Sequence, residues 1–307
     1  MGIKSDKLDN LDMKILSKLL NNCRESDRQI GKELGISGGA ARARVSKMEK
    51  LGIIEEFTIR IEPPVLGYGV LYFVVTGQDM NEILEQVSLV GEPVFVIPCI
   101  GGITVCSIVV QENLEQKIEL AKQIMKDVRV LSIFEAENPG YPSNLTKTDL
   151  EIVEKLIDDP RGKIESIAKS AKLSTKTVTR CLEKLQKNEG IQFTLVYDPT
   201  KIQGFIPYAI LTQIRGNLKD TLDEMNEEFF ESYMQTPFLS KNQIVLFMYS
   251  KDIFEMDTIT HKVRNSKNVI SADLFIPKKI SFLQNWLKNS INEAKKSPTL
   301  HLTYQTK

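Results

Sequence analysis

The sequence predicts an α+β fold in which two winged-helix or helix-turn-helix domains alternate with two ferredoxin-like βαββαβ domains. Three observations predict it: the chain matches itself at an offset of 137 residues, each copy opens with three short amphipathic helices, and each continues in the order β-α-β-β-α-β. At 307 residues the chain exceeds what one core usually organises, so several domains are expected.

The self-match sets the frame. It pairs Asp12 with Asp149, Ile15 with Ile152, Leu19 with Leu156, Ile30 with Ile167, Ser37 with Ser174, Val45 with Leu182 and Met48 with Leu185. One extra residue then brings Gly52 onto Gly190, and further on Phe57 meets Phe193 and Pro63 meets Pro199. Apolar positions, caps and prolines agree while surface residues differ, the pattern left by a packed unit used twice. The expected divisions are helix-turn-helix domains at 1–65 and 145–200, α/β domains at 66–138 and 201–279, a linker at 139–144, and a C-terminal helix and tail at 280–307.

In the first copy, Leu8, Leu11, Ile15, Leu16, Leu19 and Leu20 form a helical stripe over residues 8–22. A second helix over 26–34 has Ser26 as its cap and Gly35 as its stop. Ser37 opens a third over 37–50, with Ala41, Val45 and Met48 on one face. Ile54, Phe57, Ile59 and Ile61 read as a strand closed by Pro63-Pro64. Strand 68–76, helix 79–89, strands 93–99 and 103–110 turning at Gly101-Gly102, helix 112–126 and strand 128–136 follow. The second copy repeats the series as helices 147–158, 163–171 and 174–188, strand 191–197, strand 205–214, helix 218–233, two strands within 236–250, helix 251–266 and strand 269–276. Residues 280–294 read as a last helix with Ile280, Leu283, Trp286, Leu287 and Ile291 on one stripe, placed either to join chains or to pack on its own domain.

Forty basic and forty acidic side chains cancel overall, but the segments differ. Residues 66–140 hold 4 Lys/Arg against 10 Asp/Glu, whereas the third helix of each copy is net +3. Cys23, Cys99, Cys106 and Cys181 are scattered without Cys-x-x-Cys spacing or neighbouring histidines, so neither a disulfide framework nor a zinc site is signalled. A reducing cytoplasm is the expected setting, with no membrane partner, since no 18-residue apolar run occurs. No phosphate loop, nucleophile elbow or metal-binding cluster appears, and no cofactor or metal is expected.

A helix that enters the major groove needs a buried docking face, a capped N-terminus near phosphate and exposed basic or polar side chains. Residues 37–50 offer Ser37, Arg42, Arg44 and Lys47; residues 174–187 offer Ser174, Thr175, Lys176, Thr177, Thr179, Arg180 and Lys184. Double-stranded DNA is therefore the expected partner. Arginine paired bidentately with guanine would carry the sequence information while lysines hold phosphate.

The run LDNLDMKILSKLLNN, the turn LGIS, RVSKMEKLGII and the trailing PPVLGYG resemble the N-terminal half of the Lrp/AsnC regulators. The resemblance implies a sequence-specific, non-enzymatic transcriptional regulator built as helix-turn-helix plus ferredoxin-like effector domain, present here twice. It also implies an amino-acid-like effector, sheet-to-sheet pairing into an intramolecular pseudo-dimer, and homo-oligomers. Arg44 falls where the family motif has its arginine, whereas the second copy has Cys181 there. The effector turn of the family is matched by Gly101, Gly102 and Thr104, but without the aspartate that usually follows. The architecture also resembles that of siroheme decarboxylases, which supplies an alternative; their multiply carboxylated substrate calls for more than His261, His301 and the few arginines of the α/β domains. An architectural DNA binder without an effector is the third reading.

Overall fold

The computed structural model describes residues 6–76, 80–111, 113–125, 129–135, 145–240 and 242–296. The linker at 139–144, His301 and the C-terminal tail lie outside them.

The first copy begins with α1 (Asn10–Asn21), α2 (Asp27–Leu34) and α3 (Gly38–Lys50). The caps are those the sequence supplies: Ser26 Oγ accepts from the Gln29 amide, Ser37 Oγ accepts from the Ala40 amide, and Gly35 ends α2 in the left-handed region at φ +70. The turn from α2 to α3 is tight because two glycines permit it. A Cβ on Gly31 would lie 2.7 Å from the Ile36 carbonyl, and one on Gly38 would lie 3.0 Å from Arg28 Cα. In the second copy, α6 (Lys147–Asp158), α7 (Ile164–Ala171) and α8 (Thr175–Gln186) repeat the trio. There Lys172 takes the left-handed position, at φ 56.

Strand β1 (Ile54–Ile61) leaves α3, and β6 (Ile191–Tyr197) leaves α8. They pair with each other, antiparallel, from Ile54 opposite Tyr197 to Ile61 opposite Ile191. Each helical trio is thereby packed on a strand of the other copy. Leu195, Tyr197, Ile202 and Phe205 complete the core of α1–α3, while Ile59, Ile61, Val65 and Leu66 complete that of α6–α8. The α6–α8 core extends past residue 65 to Leu66, Val94 and Val109, and the α1–α3 core past residue 200 to Ile202, Phe205 and Met234.

The remaining elements of the first copy are β2 (Gly69–Thr76), α4 (Met80–Val90), β3 (Glu92–Pro98), β4 (Ile103–Val110), α5 (Leu114–Ile124) and β5 (Arg129–Glu135). Those of the second are β7 (Ile206–Ile214), α9 (Leu218–Phe229), β8 (Tyr233–Ser240), β9 (Gln243–Ser250), α10 (Ile253–Arg264) and β10 (Val269–Phe275). Their strand orders, β3-β4-β2-β5 and β8-β9-β7-β10, are the same antiparallel arrangement. One face of each sheet carries its own two helices. The other faces meet: Val74, Cys99, Ile97 and Val105 of the first pack against Phe275, Ala209 and Leu211 of the second, and Phe238 joins Val70, Tyr72 and Phe95.

Two expectations are corrected. The helix expected to reach residue 233 ends at Phe229 and gives way to a single 3-10 turn, Phe230–Ser232, so that Tyr233 can begin β8. The helix expected from residue 280 starts at Asn285, because the segment before it is extended. Ser281 and Phe282 form β11, which adds to the edge of the first sheet opposite Val96 and Phe95. The last helix, α11 (Asn285–Lys296), then buries Trp286, Leu287 and Ile291 in the α6–α8 core, and Lys295 Nζ donates to Glu154 at 2.9 Å. That helix packs on its own chain.

Candidate nucleic-acid interface

The two third helices present different surfaces. On α3, Ala41, Val45 and Met48 are buried and dock the helix, while Arg42 and Lys50 are exposed. On α8, Val178, Cys181, Leu182 and Leu185 are buried, while Thr175, Lys176 and Arg180 are exposed. Ser37 and Ser174 serve as N-caps; Ser174 Oγ also lies 2.8 Å from Thr177 Oγ1 and accepts from the Thr177 amide. Thr179 Oγ1 donates back to the Thr175 carbonyl at 2.9 Å, which turns that hydroxyl into its own helix.

Two of the expected contact residues on α3 are engaged within the protein. Arg44 Nη1 lies 2.6 Å from Asp12 Oδ1 and 2.8 Å from Asp9 Oδ2, and Lys47 Nζ lies 3.1 Å from the Lys7 carbonyl and 3.4 Å from Asp12 Oδ2. Asp9 and Asp12 are also the capping box of α1. Arg44 therefore clasps the third helix to the start of the first. The carboxylates raise the Arg44 pKa through hydrogen bonds and charge. Burial works to raise the Asp9 pKa, but the Asp12 amide and Arg44 outweigh it, and the net shift is downward.

The second copy keeps the clasp with a different residue. Lys184 Nζ lies 2.6 Å from Asp149 Oδ2, and Asp149 is the capping-box partner of Thr146. Burial pulls the Asp149 pKa up, yet Lys184 and the Thr146 amide bring it below the ordinary carboxylate value. Cys181, which stands where Arg44 does, is buried, and desolvation together with the Asp149 charge pushes its thiol upward.

Sequence reasoning missed two cations beside these helices. Arg28 is exposed in the first turn of α2, with its backbone against Gly38, and Lys172 is exposed in the turn before α8. The signal was available: both occupy the segment that precedes the third helix, where phosphate contacts arise in helix-turn-helix geometry.

The predicted effector turn is an ordinary β3–β4 hairpin with Gly101 at φ +83 and Gly102 at φ +73. Thr76 Oγ1 donates to the Gly102 carbonyl, and Thr104 is buried within β4. The turn is tied to the second copy, since the Ile100 amide donates to the Ile276 carbonyl and the Lys278 amide to the Pro98 carbonyl. His261 is exposed and lies 2.8 Å from Asn265 Nδ2 through Nδ1. All four cysteines are buried free thiols. No described helix is long and apolar enough to cross a membrane.

Comparison with known proteins places these observations. The AsnC-type helix-turn-helix domain model matches residues 8–49. The chain is 34% identical over 111 residues to the HTH-type transcriptional regulator Ptr1 of Methanocaldococcus jannaschii, covering 35% of this chain and 75% of that one. It is 45% identical over 74 residues to the HTH-type transcriptional regulator LrpA of Pyrococcus horikoshii, covering 24% of this chain and about half, 49%, of the relative. Among solved structures, the siroheme decarboxylase NirDL aligns over 94% of this chain and 100% of its own, at 15% identity and a TM-score of 0.47. With a capped helix-turn-helix trio, the matching domain model and a relative aligned over three quarters of its length, the chain belongs to the Lrp/AsnC family.

Proposed function

We propose that the protein is a sequence-specific transcriptional regulator that reads an asymmetric DNA site with two unlike helix-turn-helix units. The observation that carries this reading is the exposed surface of the two third helices. α3 offers Arg42 and Lys50 beside two exposed small residues, Gly39 and Ala40, whereas α8 offers Thr175, Lys176 and Arg180. Two such surfaces recognise different base edges. Arg28 and Lys172 hold the flanking phosphates, and the two serine caps leave helix N-termini that favour phosphate.

The β1–β6 ladder supports the spacing. It joins the strands that leave the two reading helices, so the units meet the duplex as one body with a set separation, about 34 Å for successive major grooves on one face of the duplex. The stacked α/β sheets extend that body, and the division into four domains and a C-terminal element is best taken as covalent bookkeeping over two interlocked halves. A small effector acting on the α/β domains, and assembly into homo-oligomers, belong to the same proposal. Occupancy of a promoter then blocks or recruits the transcription machinery.

Selection of purified full-length protein on random-sequence duplexes, with a salt titration of the enriched pool, tests it. The expected result is a motif of two unlike halves and affinity that falls steeply with salt. A two-fold symmetric motif rejects the unlike readers, and no enrichment with binding that extends along any duplex supports the architectural alternative.

A further inference from the structure

Between the two facing sheets lies a cavity of about 140 Å³. Its walls are nearly all apolar or aromatic, with Tyr72, Phe238 and Phe275 from both sheets and Ala209 at the centre of β7. A cavity of this size with such walls accommodates a molecule of about one aromatic ring. Two further observations narrow the chemistry. Tyr197 also lines the cavity, and its buried hydroxyl has the Met234 thioether at 3.9 Å as its partner, a weak acceptor for a phenolic donor. The Tyr208 hydroxyl, by contrast, is matched to Ser250 at 2.9 Å.

Charge excludes a zwitterion. An amino acid needs a carboxylate for its ammonium group, and the described residues lining the cavity include none. Arg60 reaches the wall but its guanidinium is held by Glu62, with Nε 2.9 Å from Oε1.

We propose that this cavity binds a small, uncharged, mainly apolar molecule, about one ring in size, whose single acceptor receives a hydrogen bond from Tyr197 Oη. The placement of Tyr197 gives such a ligand a route to the reading helices. Tyr197 closes β6 opposite Ile54, the first residue of β1 after α3, and its ring belongs to the α1–α3 core. This coupling rests on the proposed regulatory function; binding in the cavity does not.

The test uses the full chain without DNA and three probes: acetophenone, which has a ring and a carbonyl acceptor; ethylbenzene, which has the shape without the acceptor; and phenylalanine. Calorimetric titration and thermal unfolding are expected to give saturable one-to-one binding of acetophenone, weaker binding of ethylbenzene and none of phenylalanine. Tyr197→Phe is expected to weaken acetophenone about tenfold and leave ethylbenzene unchanged. Ala209→Leu fills the space and is expected to abolish both; Val245→Leu, also on the wall, serves the same purpose if Ala209→Leu does not fold. Absence of saturable binding by either aromatic probe, or undiminished binding in a folded filled variant, overturns the site. Equal affinity of acetophenone for the protein and Tyr197→Phe overturns the role of the hydroxyl. None of these outcomes depends on whether a DNA motif is selected, so failure of the cavity and failure of the regulator reading are told apart.

Discussion

The guanidinium of Arg24 lies 5.7 Å over the ring of Phe193, in the other copy, and the same relationship recurs in reverse with Arg161 4.5 Å over the ring of Phe57. Arg24 also donates to the carbonyls of Pro160, at 2.5 Å, and Gly162, at 3.0 Å. These contacts bolt the end of α1 to β6 and to the loop after α6. Replacing Arg24 with alanine removes a partly buried cation–π contact and leaves two carbonyls without their donor. A loss of about 1–3 kcal/mol is expected, measured by urea unfolding. An unchanged midpoint would mean that water replaces the arginine without cost.

Arg42 and Arg44 sit two residues apart and are expected to answer different assays. Arg44→Ala breaks the clasp on Asp9 and on Asp12, whose side chain is 1% exposed, so its first effect is on stability, a loss of about 1–3 kcal/mol. Arg42→Ala touches no such network and is expected to leave unfolding within about 0.5 kcal/mol while weakening one half of the selected DNA site. The reverse pattern, with Arg44→Ala stable and blind to one base, would restore Arg44 to the groove.

Gly38 and Gly39 are adjacent on α3 and are expected to respond to alanine with opposite signs. Nothing but Ser37 Oγ, at 3.9 Å, lies near a Cβ on Gly39, so Gly39→Ala gains helix propensity of about 1 kcal/mol. A Cβ on Gly38 meets the Arg28 backbone at 3.0 Å and 3.2 Å, and forcing α2 and α3 apart costs more than the propensity returns. Thermal unfolding of the two single variants decides it, and stabilisation by both would show that the turn yields.

The Asp149–Lys184 pair predicts a pH dependence. Because the folded-state pKa of Asp149 is lowered, its contribution is fully present above the ordinary carboxylate value of 3.8 and is lost as pH falls through the lower folded value. The stability gap between the wild type and Asp149→Asn is therefore expected to be constant from pH 7 to pH 5 and to close below pH 4. Urea unfolding at each pH measures it; a gap that widens toward acid would reverse the sign assigned to the pair.

How far the sequence foretold this architecture depends on the range of the interaction. The helices, their serine caps, Gly35 and the Gly101-Gly102 turn were legible because each is decided within a few residues by periodicity, hydrogen-bonding side chains or a left-handed backbone. The two β-α-β-β-α-β series were legible for the same reason. The pairing of β1 with β6 was not, since an alternating strand records which face is apolar and carries no label for a partner strand in the other copy. The Arg44 clasp was not legible because a cation on a helix surface has the same local sequence whether it faces solvent or a carboxylate contributed 32 residues earlier. Ile280 and Leu283 fit a helical stripe, yet the free edge of β3 offered backbone partners that a short extended segment satisfies, as the Leu283 amide does on the Val94 carbonyl.

The β1–β6 ladder has a consequence for dosage. Two separate chains that associate through such a ladder dissociate on dilution, so their paired fraction depends on copy number. Here both strands lie on one polypeptide, and pairing is a unimolecular equilibrium with no concentration in it. A single molecule carries both helix-turn-helix trios already joined, and each can change by substitution without imposing the same change on the other.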